Sequence, residues 1–172
     1  MYIFFENLLT PAQCDELNQV ALQQMFAKKM HYEADNGHYA NSYGTARLPI
    51  YEKLLYELTP KIKEATKMNN IKEENSYTRI YYNGAKLKMH KDREGLDLTL
   101  SICTYTNLGF DWPLHVEIEP GNVKSFVTKP GDGALILGTA MNHWRDDLHC
   151  EEHQMVIQSF YHWRILNVTK IF

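Results

Sequence analysis

The stretch YTRIYYNGAKLKMHKD, residues 77–92, decides the fold. Here the apolar period changes from helical to two, the spacing of a strand with one buried face. Asn83-Gly84 reads as a tight turn, so the stretch is expected to form two short strands, 77–83 and 86–92. Downstream the pattern repeats in LTLSICTYT (98–106), LHVEIE (114–119), VKSFVTK (123–129), ALILG (134–138) and HQMVIQSFYHW (153–163). Glu94-Gly95, Pro120-Gly121-Asn122 and Pro130-Gly131-Asp132 separate these runs as turn signals. Upstream the chain reads helical. Thr10-Pro11-Ala12-Gln13 has the pattern of a capping box with Pro at the first helical position, and predicts a helix from Pro11 to about Lys29. HYEADNGHYANSYGTAR (31–47) has no period and reads as a long Tyr-rich loop. Pro49 opens a second helix to about Leu58, and Thr59-Pro60 opens a third to about Met68. The expected architecture is mainly β with N-terminal helices (α+β). Residues 1–75 form the helical support and loop, and residues 76–172 form an antiparallel sandwich or jelly roll, all within a single domain.

The bulk composition agrees. At 172 residues the chain fits one domain of the usual size of roughly 100–200 residues. A hydrophobic fraction of 44% with 23% charged residues is that of a globular protein. The net charge of −3 provides no field to hold nucleic acid or an anionic membrane. No apolar run is long enough for a spanning helix, and the N-terminus lacks the basic segment of a signal peptide. Three widely spaced cysteines, Cys14, Cys103 and Cys150, fit a reduced, cytoplasmic protein better than a disulfide framework.

Chemistry enters at His90-Lys91-Asp92. On a strand, residues i and i+2 project to the same side, so His90 and Asp92 point together and Lys91 points away. An imidazole beside a carboxylate offers two ligands to a divalent transition metal. A surface His beside a turn Asp would give the same triplet, so a third ligand has to come from elsewhere. PGDGALIL (130–137) reads as a turn feeding a buried strand, and GTAMN then leads to His143-Trp144-Arg145. That places His143 at a sheet rim, where it can converge on His90 and Asp92. Two His and one carboxylate on one face, with other positions open, form the facial triad of non-heme Fe(II) oxygenases.

Five motifs in order resemble the 2-oxoglutarate- and Fe(II)-dependent dioxygenases, and among them the prolyl 4-hydroxylase-like branch. They are Arg79-Ile-Tyr-Tyr82 with Asn83-Gly84 ahead of His90-x-Asp92, the strand from Leu98 to Asn107, His115-Val-Glu-Ile118, Pro130-Gly131-Asp132-Gly133-Ala134, and His143-Trp144-Arg145-Asp146. The resemblance covers residues 77–163. It implies a double-stranded β-helix supported by helices, with Fe(II) held by His90, Asp92 and His143. It implies 2-oxoglutarate and O2 as cosubstrates, with ascorbate a candidate accessory reductant. The implied reaction hydroxylates a C–H bond of a peptide side chain or an amino-acid-like small molecule, releasing succinate and CO2. The partner is then a peptide, protein or small-molecule substrate.

The distal carboxylate of 2-oxoglutarate needs a partner. Family members place Arg or Lys about ten positions after the distal His, where this chain has His153 flanked by Glu151 and Glu152. His153 as an imidazolium is one candidate anchor. Tyr105 aligns with a family Tyr that bonds the same carboxylate, and Tyr81 and Arg145 are further candidates, with Arg164 as a fallback cation. On its strand Arg145 shares the side of His143. The remaining histidines read as structural: His149 and His162 as surface or strand-packing residues, and His115 as a cross-strand polar contact. His31, His38 and the tyrosines of 31–47 sit in the loop, which is a candidate lid. Three function classes compete: a 2-oxoglutarate/Fe(II) hydroxylase, a cupin-type metalloenzyme that does not use 2-oxoglutarate, and a non-catalytic β-sandwich binding module.

Overall fold

The N-terminal helix begins where its sequence signals place it. Thr10 Oγ1 accepts from Gln13 N (3.2 Å), and Gln13 Oε1 accepts in return from Thr10 N (2.9 Å). The computed structural model describes residues 1–35 and 37–166. Helix α1 spans Pro11–Phe26, ending three residues before the expected Lys29, because Lys28 takes a left-handed backbone (φ +57°). Helix α2 spans Pro49–Thr66 as one element, where two were expected. Thr59 does not cap a new helix; its Oγ1 donates back to Leu55 O at 2.9 Å. Pro60 is tolerated because the carbonyl it leaves unbonded belongs to Tyr56, on the exposed face of the helix where water can serve it.

The strands are β1 (Tyr2–Phe5), β2 (His31–Glu33), β3 (Tyr39–Ala46), β4 (Ile71–His90), β5 (Leu98–Thr106), β6 (Leu114–Glu119), β7 (Asn122–Phe126), β8 (Gly133–Leu137), β9 (His143–Arg145) and β10 (Val156–Ile165). Every pairing is antiparallel, in the order β1-β8-β5-β10-β4-β9-β6-β7, with β3 on β4 and β2 on β3. The two ends of this path meet through side chains: the Phe126 ring lies 5.5 Å from Tyr2 and 6.2 Å from Phe4. The sheet is a nearly closed jelly-roll barrel, as expected.

Three sequence expectations need correction. First, Asn83-Gly84 makes no hairpin. Strand β4 runs straight through it, pairing with β10 along its first half, with β3 on both sides of the turn signal, and with β9 at its end. Gly84 (φ +79°) instead bonds out of the ladder to Leu148 O at 2.7 Å, so the signal marks a bulge. Second, residues 31–47 contain the hairpin β2–β3. Its inward positions Ala40, Ser42 and Gly44 are small or polar, which hid the alternation. Gly44 in particular leaves room for the Tyr77 ring. Third, Tyr2–Phe5 forms an edge strand on β8, where no strand was expected.

Both helices cover the outer face of the β8-β5-β10-β4 half. Leu17, Tyr51, Leu55 and Ile62 pack there with Leu98, Leu100, Ile102, Tyr161 and Trp163 in the main core. Trp163 Nε1 donates to Thr59 Oγ1 (2.8 Å), and Tyr51 Oη donates to Leu17 O (2.9 Å), so these two buried polar tips are satisfied. This apolar outer layer leaves the opposite, inward face of the same strands free to carry polar groups.

Candidate metal centre

Strands β4 and β9 bring two histidines together. His90 and His143 are directly opposed in the ladder, with ring centroids 4.3 Å apart. Asp92 follows β4 by two residues, and its backbone N–H donates to Gly138 O at 2.9 Å. Its Oδ1 lies 3.7 Å from His90 Nε2 and 3.6 Å from His143 Nε2. One ligand atom from each residue falls within 4.8 Å of the others. Among the described residues this is the only such group of metal-capable side chains.

The surroundings fix the state of each ligand. His90 Nδ1 lies 2.8 Å from Lys88 O, and His143 Nδ1 lies 2.9 Å from Met141 O. A carbonyl only accepts, so both rings carry a proton on Nδ1 and turn Nε2, the atom that would meet a metal, toward Asp92. Thr99 Oγ1 donates to Asp92 Oδ2 at 2.5 Å. Burial opposes ionisation of Asp92, but hydrogen bonds to His143, His90 and Thr99 outweigh it and hold its carboxyl far below the usual carboxylate range. The result is one carboxylate and two imidazole Nε2 atoms converging on one point. Gly138 is part of this geometry, since a Cβ there would strike Asp92 Oδ2, Thr99 Oγ1 and Leu96 O.

The triad opens into a cavity of about 410 Å³ inside the barrel. Strand alternation turns Tyr77, Arg79 and Tyr81 of β4, Thr99 and Ser101 of β5, and Phe160 and His162 of β10 toward it. The hairpin β2–β3, whose sequence reads as a candidate lid, forms one wall, through Glu33, Tyr39 and Ala46. The His38 ring packs edge-on against His90 at 4.5 Å. His162 therefore lines the cavity, although its sequence position read as ordinary packing. His115 makes the expected cross-strand contact, its Nδ1 2.8 Å from Ser125 Oγ.

The four candidate anchor residues separate in space. Arg145 faces inward beside His143 and is 2% exposed. Its Nη1 donates to Trp112 O at 2.6 Å, and its guanidinium stacks over the Trp112 ring at 4.8 Å. Its Nε and Nη2 are buried without a hydrogen-bond partner among the described residues, as is the hydroxyl of the fully buried Tyr81. Tyr81 also packs edge-on to Trp112 at 5.0 Å. Tyr105 is elsewhere. A bulge opposite Ile157/Gln158 adds one residue to β5, and a one-residue slip turns Tyr105 to the outer face, against Ile80 and Ile157. His153 lies in an exposed turn ahead of β10, its carbonyl accepting from Asn107 Nδ2 at 3.2 Å. The connection from β9 to β10 is longer than the ten-position count assumes, and the first inward strand position is the apolar Val156.

No family model and no curated protein matches the sequence. Solved structures do match. The chain is similar to a prolyl-4-hydroxylase from Pseudomonas putida, with a TM-score of 0.73 and 11% identity over 96% of this chain and 92% of that one. It is similar to a viral collagen prolyl hydroxylase from Paramecium bursaria Chlorella virus-1, solved with 2-oxoglutarate (TM-score 0.70, 14% identity, 96% of each chain). It is similar to HygX from Streptomyces hygroscopicus, solved with nickel and 2-oxoglutarate (TM-score 0.65, 10% identity, 94% of this chain and 82% of that one). At these identities the likeness is one of fold.

Proposed function

We propose that this chain is an Fe(II)- and 2-oxoglutarate-dependent dioxygenase that hydroxylates a C–H bond of a peptide side chain or an amino-acid-like small molecule. The observation that carries the reading is the convergence of His90, Asp92 and His143 inside a barrel cavity, with both imidazole tautomers set for metal binding. Two neutral imidazoles and one carboxylate suit a divalent transition metal and leave coordination positions open. The fold shared with structures holding nickel and 2-oxoglutarate supports the same assignment. Bound together, the metal and 2-oxoglutarate would supply O2 activation and oxidative decarboxylation to succinate and CO2.

The protein's part is binding and exclusion. His90, His143 and Asp92 would hold the metal, while Thr99 and the two backbone carbonyls fix their orientation. Arg145 and Tyr81 would receive the distal carboxylate of 2-oxoglutarate, since their orphaned donors lie buried near the triad strand. A buried guanidinium with spare N–H groups is costly unless an anion meets it, and a carboxylate fits its fork. Tyr105 faces the outer side of the barrel against Ile80 and Ile157, and His153 lies in an exposed turn, so neither is assigned this role. Phe160, Leu114 and Ile136 give the cavity apolar wall that limits water.

The test is anaerobic titration with Fe(II) and then 2-oxoglutarate, watching the visible charge-transfer band of the chelate. The band is expected in the wild-type protein and absent in His143→Ala. Arg145→Gln should weaken 2-oxoglutarate binding about ten- to hundred-fold, the loss of a charge-assisted bond. Tyr105→Phe and His153→Ala should leave it unchanged. Metal binding without any 2-oxoglutarate band would favour the cupin-type reading, and no metal binding would favour a binding module.

A further inference from the structure

A buried cation lines the cavity itself. Arg79 projects from β4 into the barrel, lines the cavity and is 4% exposed. Its Nη1 donates to Ser42 Oγ at 2.8 Å and its Nη2 to Tyr77 Oη at 3.3 Å. Its guanidinium lies over the Tyr39 ring at 3.9 Å, which fixes the plane of the fork. Among the described residues its hydrogen-bond partners are these two neutral hydroxyls, and no carboxylate pairs with it. Glu33 lines the same cavity, with its carboxylate 3.7 Å from His31 Nε2.

Arg79 is also connected to the triad. Its guanidinium stacks on Tyr39, Tyr39 packs edge-on to His38 at 4.4 Å, and His38 packs edge-on to His90 at 4.5 Å. The interior thus holds two buried guanidiniums, Arg145 against Trp112 and Arg79 against Tyr39. One 2-oxoglutarate brings two carboxylates. If its keto-acid end meets the metal, its distal carboxylate can neutralise one arginine only. The other is left with neutral partners, and a buried charge in that state is costly until an anion arrives. Further along β4, Asn75 Oδ1 is buried without a partner among the described residues in the same cavity wall, a second polar group suited to a polar occupant.

We propose that Arg79 recognises a carboxylate on the primary substrate, so that the substrate is a free carboxylic acid of amino-acid size. The inference rests on the 2-oxoglutarate reading above, which assigns the other arginine to the cosubstrate. A planar guanidinium held by ring stacking meets a carboxylate through two parallel N–H bonds. A cavity of about 410 Å³ that must also hold the cosubstrate has room for a small acid.

The experiment uses Mn(II)-loaded protein, held anaerobic and saturated with 2-oxoglutarate. It is titrated by calorimetry with the twenty L-amino acids, each as the free acid and as its primary amide. At least one acid should bind ten-fold or more tightly than its amide. Arg79→Gln should reduce that ratio to within about twofold and leave 2-oxoglutarate affinity unchanged. Arg79→Lys keeps the charge without the fork and should retain part of the preference; it also carries the test if thermal melting shows that Arg79→Gln fails to fold. Acid and amide binding alike in every wild-type pair would overturn the proposal. So would a ten-fold loss of 2-oxoglutarate affinity in Arg79→Gln, which would make Arg79 the cosubstrate's partner. Failure of 2-oxoglutarate to bind wild-type protein, measured before any acid is added, would sink the proposed function instead. The same acid and amide pairs would then test Arg79 on the metal-loaded protein alone.

Discussion

Asp92 is the residue on which the candidate centre turns, and Thr99 is what holds it. The 2.5 Å bond from Thr99 Oγ1 occupies Asp92 Oδ2 and leaves Oδ1 facing both imidazoles. Thr99→Val keeps the β-branched shape on a buried strand position and removes only the donor. Loss of a partner to a metal-ligating carboxylate costs about ten- to hundred-fold in metal affinity. Mn(II) affinity of Thr99→Val should fall by that amount with little change in thermal stability of the metal-free protein. Affinity within twofold of wild type would show that Asp92 is oriented by Gly138 and the histidines alone. Of these groups, the triad was legible in the sequence because i, i+2 parity on a strand and a His after a buried strand are local signals. Thr99 was not, because nothing in LTLSICTYT marks which alternate face meets a carboxylate seven residues earlier. Arg79 carries no site signal in the sequence, since its inward parity depends on which face the helices cover.

At the scale of elements, the sequence periodicity located strands well and connected them less well. Two departures share one cause: Gly and Pro read locally as breaks, whereas the tertiary structure absorbs them. Pro60 stays inside α2 because its face is wet, and Gly84 stays inside β4 because its N–H finds Leu148 O in the connection between β9 and β10. The bulge that moves Tyr105 outward is the same kind of feature, a one-residue insertion with no sequence signature of its own. Gly84 has functional weight, because the half of β4 beyond it turns to pair with β9 and delivers His90 opposite His143. Its φ of +79° disfavours any side chain, and a Cβ would approach Asn41 Nδ2 to 2.6 Å. Gly84→Ala should therefore cost about 1–2 kcal/mol of stability, read as a lower denaturant midpoint at unchanged slope. It should also weaken Mn(II) binding, because His90 is displaced. A stability loss with metal affinity intact would mean that the ladder from Leu87 onward aims His90 without help from the bulge.

At the scale of the whole molecule, the candidate centre joins parts of the barrel that have separate cores. His143 comes from β9, whose neighbour β6 belongs to the Leu114–Val116–Phe126 cluster. Thr99 comes from β5, whose outer face carries the helices and the largest core cluster. Arg145 and Tyr81 sit over a third cluster with Cys103 and Val156. A metal with its cosubstrate would bind residues drawn from all of these regions, and the unfolded chain keeps none of that arrangement. Ligands that bind only the folded state stabilise it by RT ln(1 + [L]/Kd), about 2.7 kcal/mol at a hundred-fold excess over Kd. For a chain of 172 residues each kcal/mol moves Tm by about 2–4 °C. Mn(II) alone should therefore raise Tm by several degrees, and 2-oxoglutarate should add a further rise only when Mn(II) is present. That conditional rise distinguishes a cosubstrate that chelates the metal from one that merely sits near Arg145. Asp92→Asn should lose both increments, whereas Arg145→Gln should keep the first and lose most of the second. If 2-oxoglutarate raised Tm equally with and without Mn(II), the cavity would be binding it as a simple dianion, and the triad and the arginine would be two independent sites.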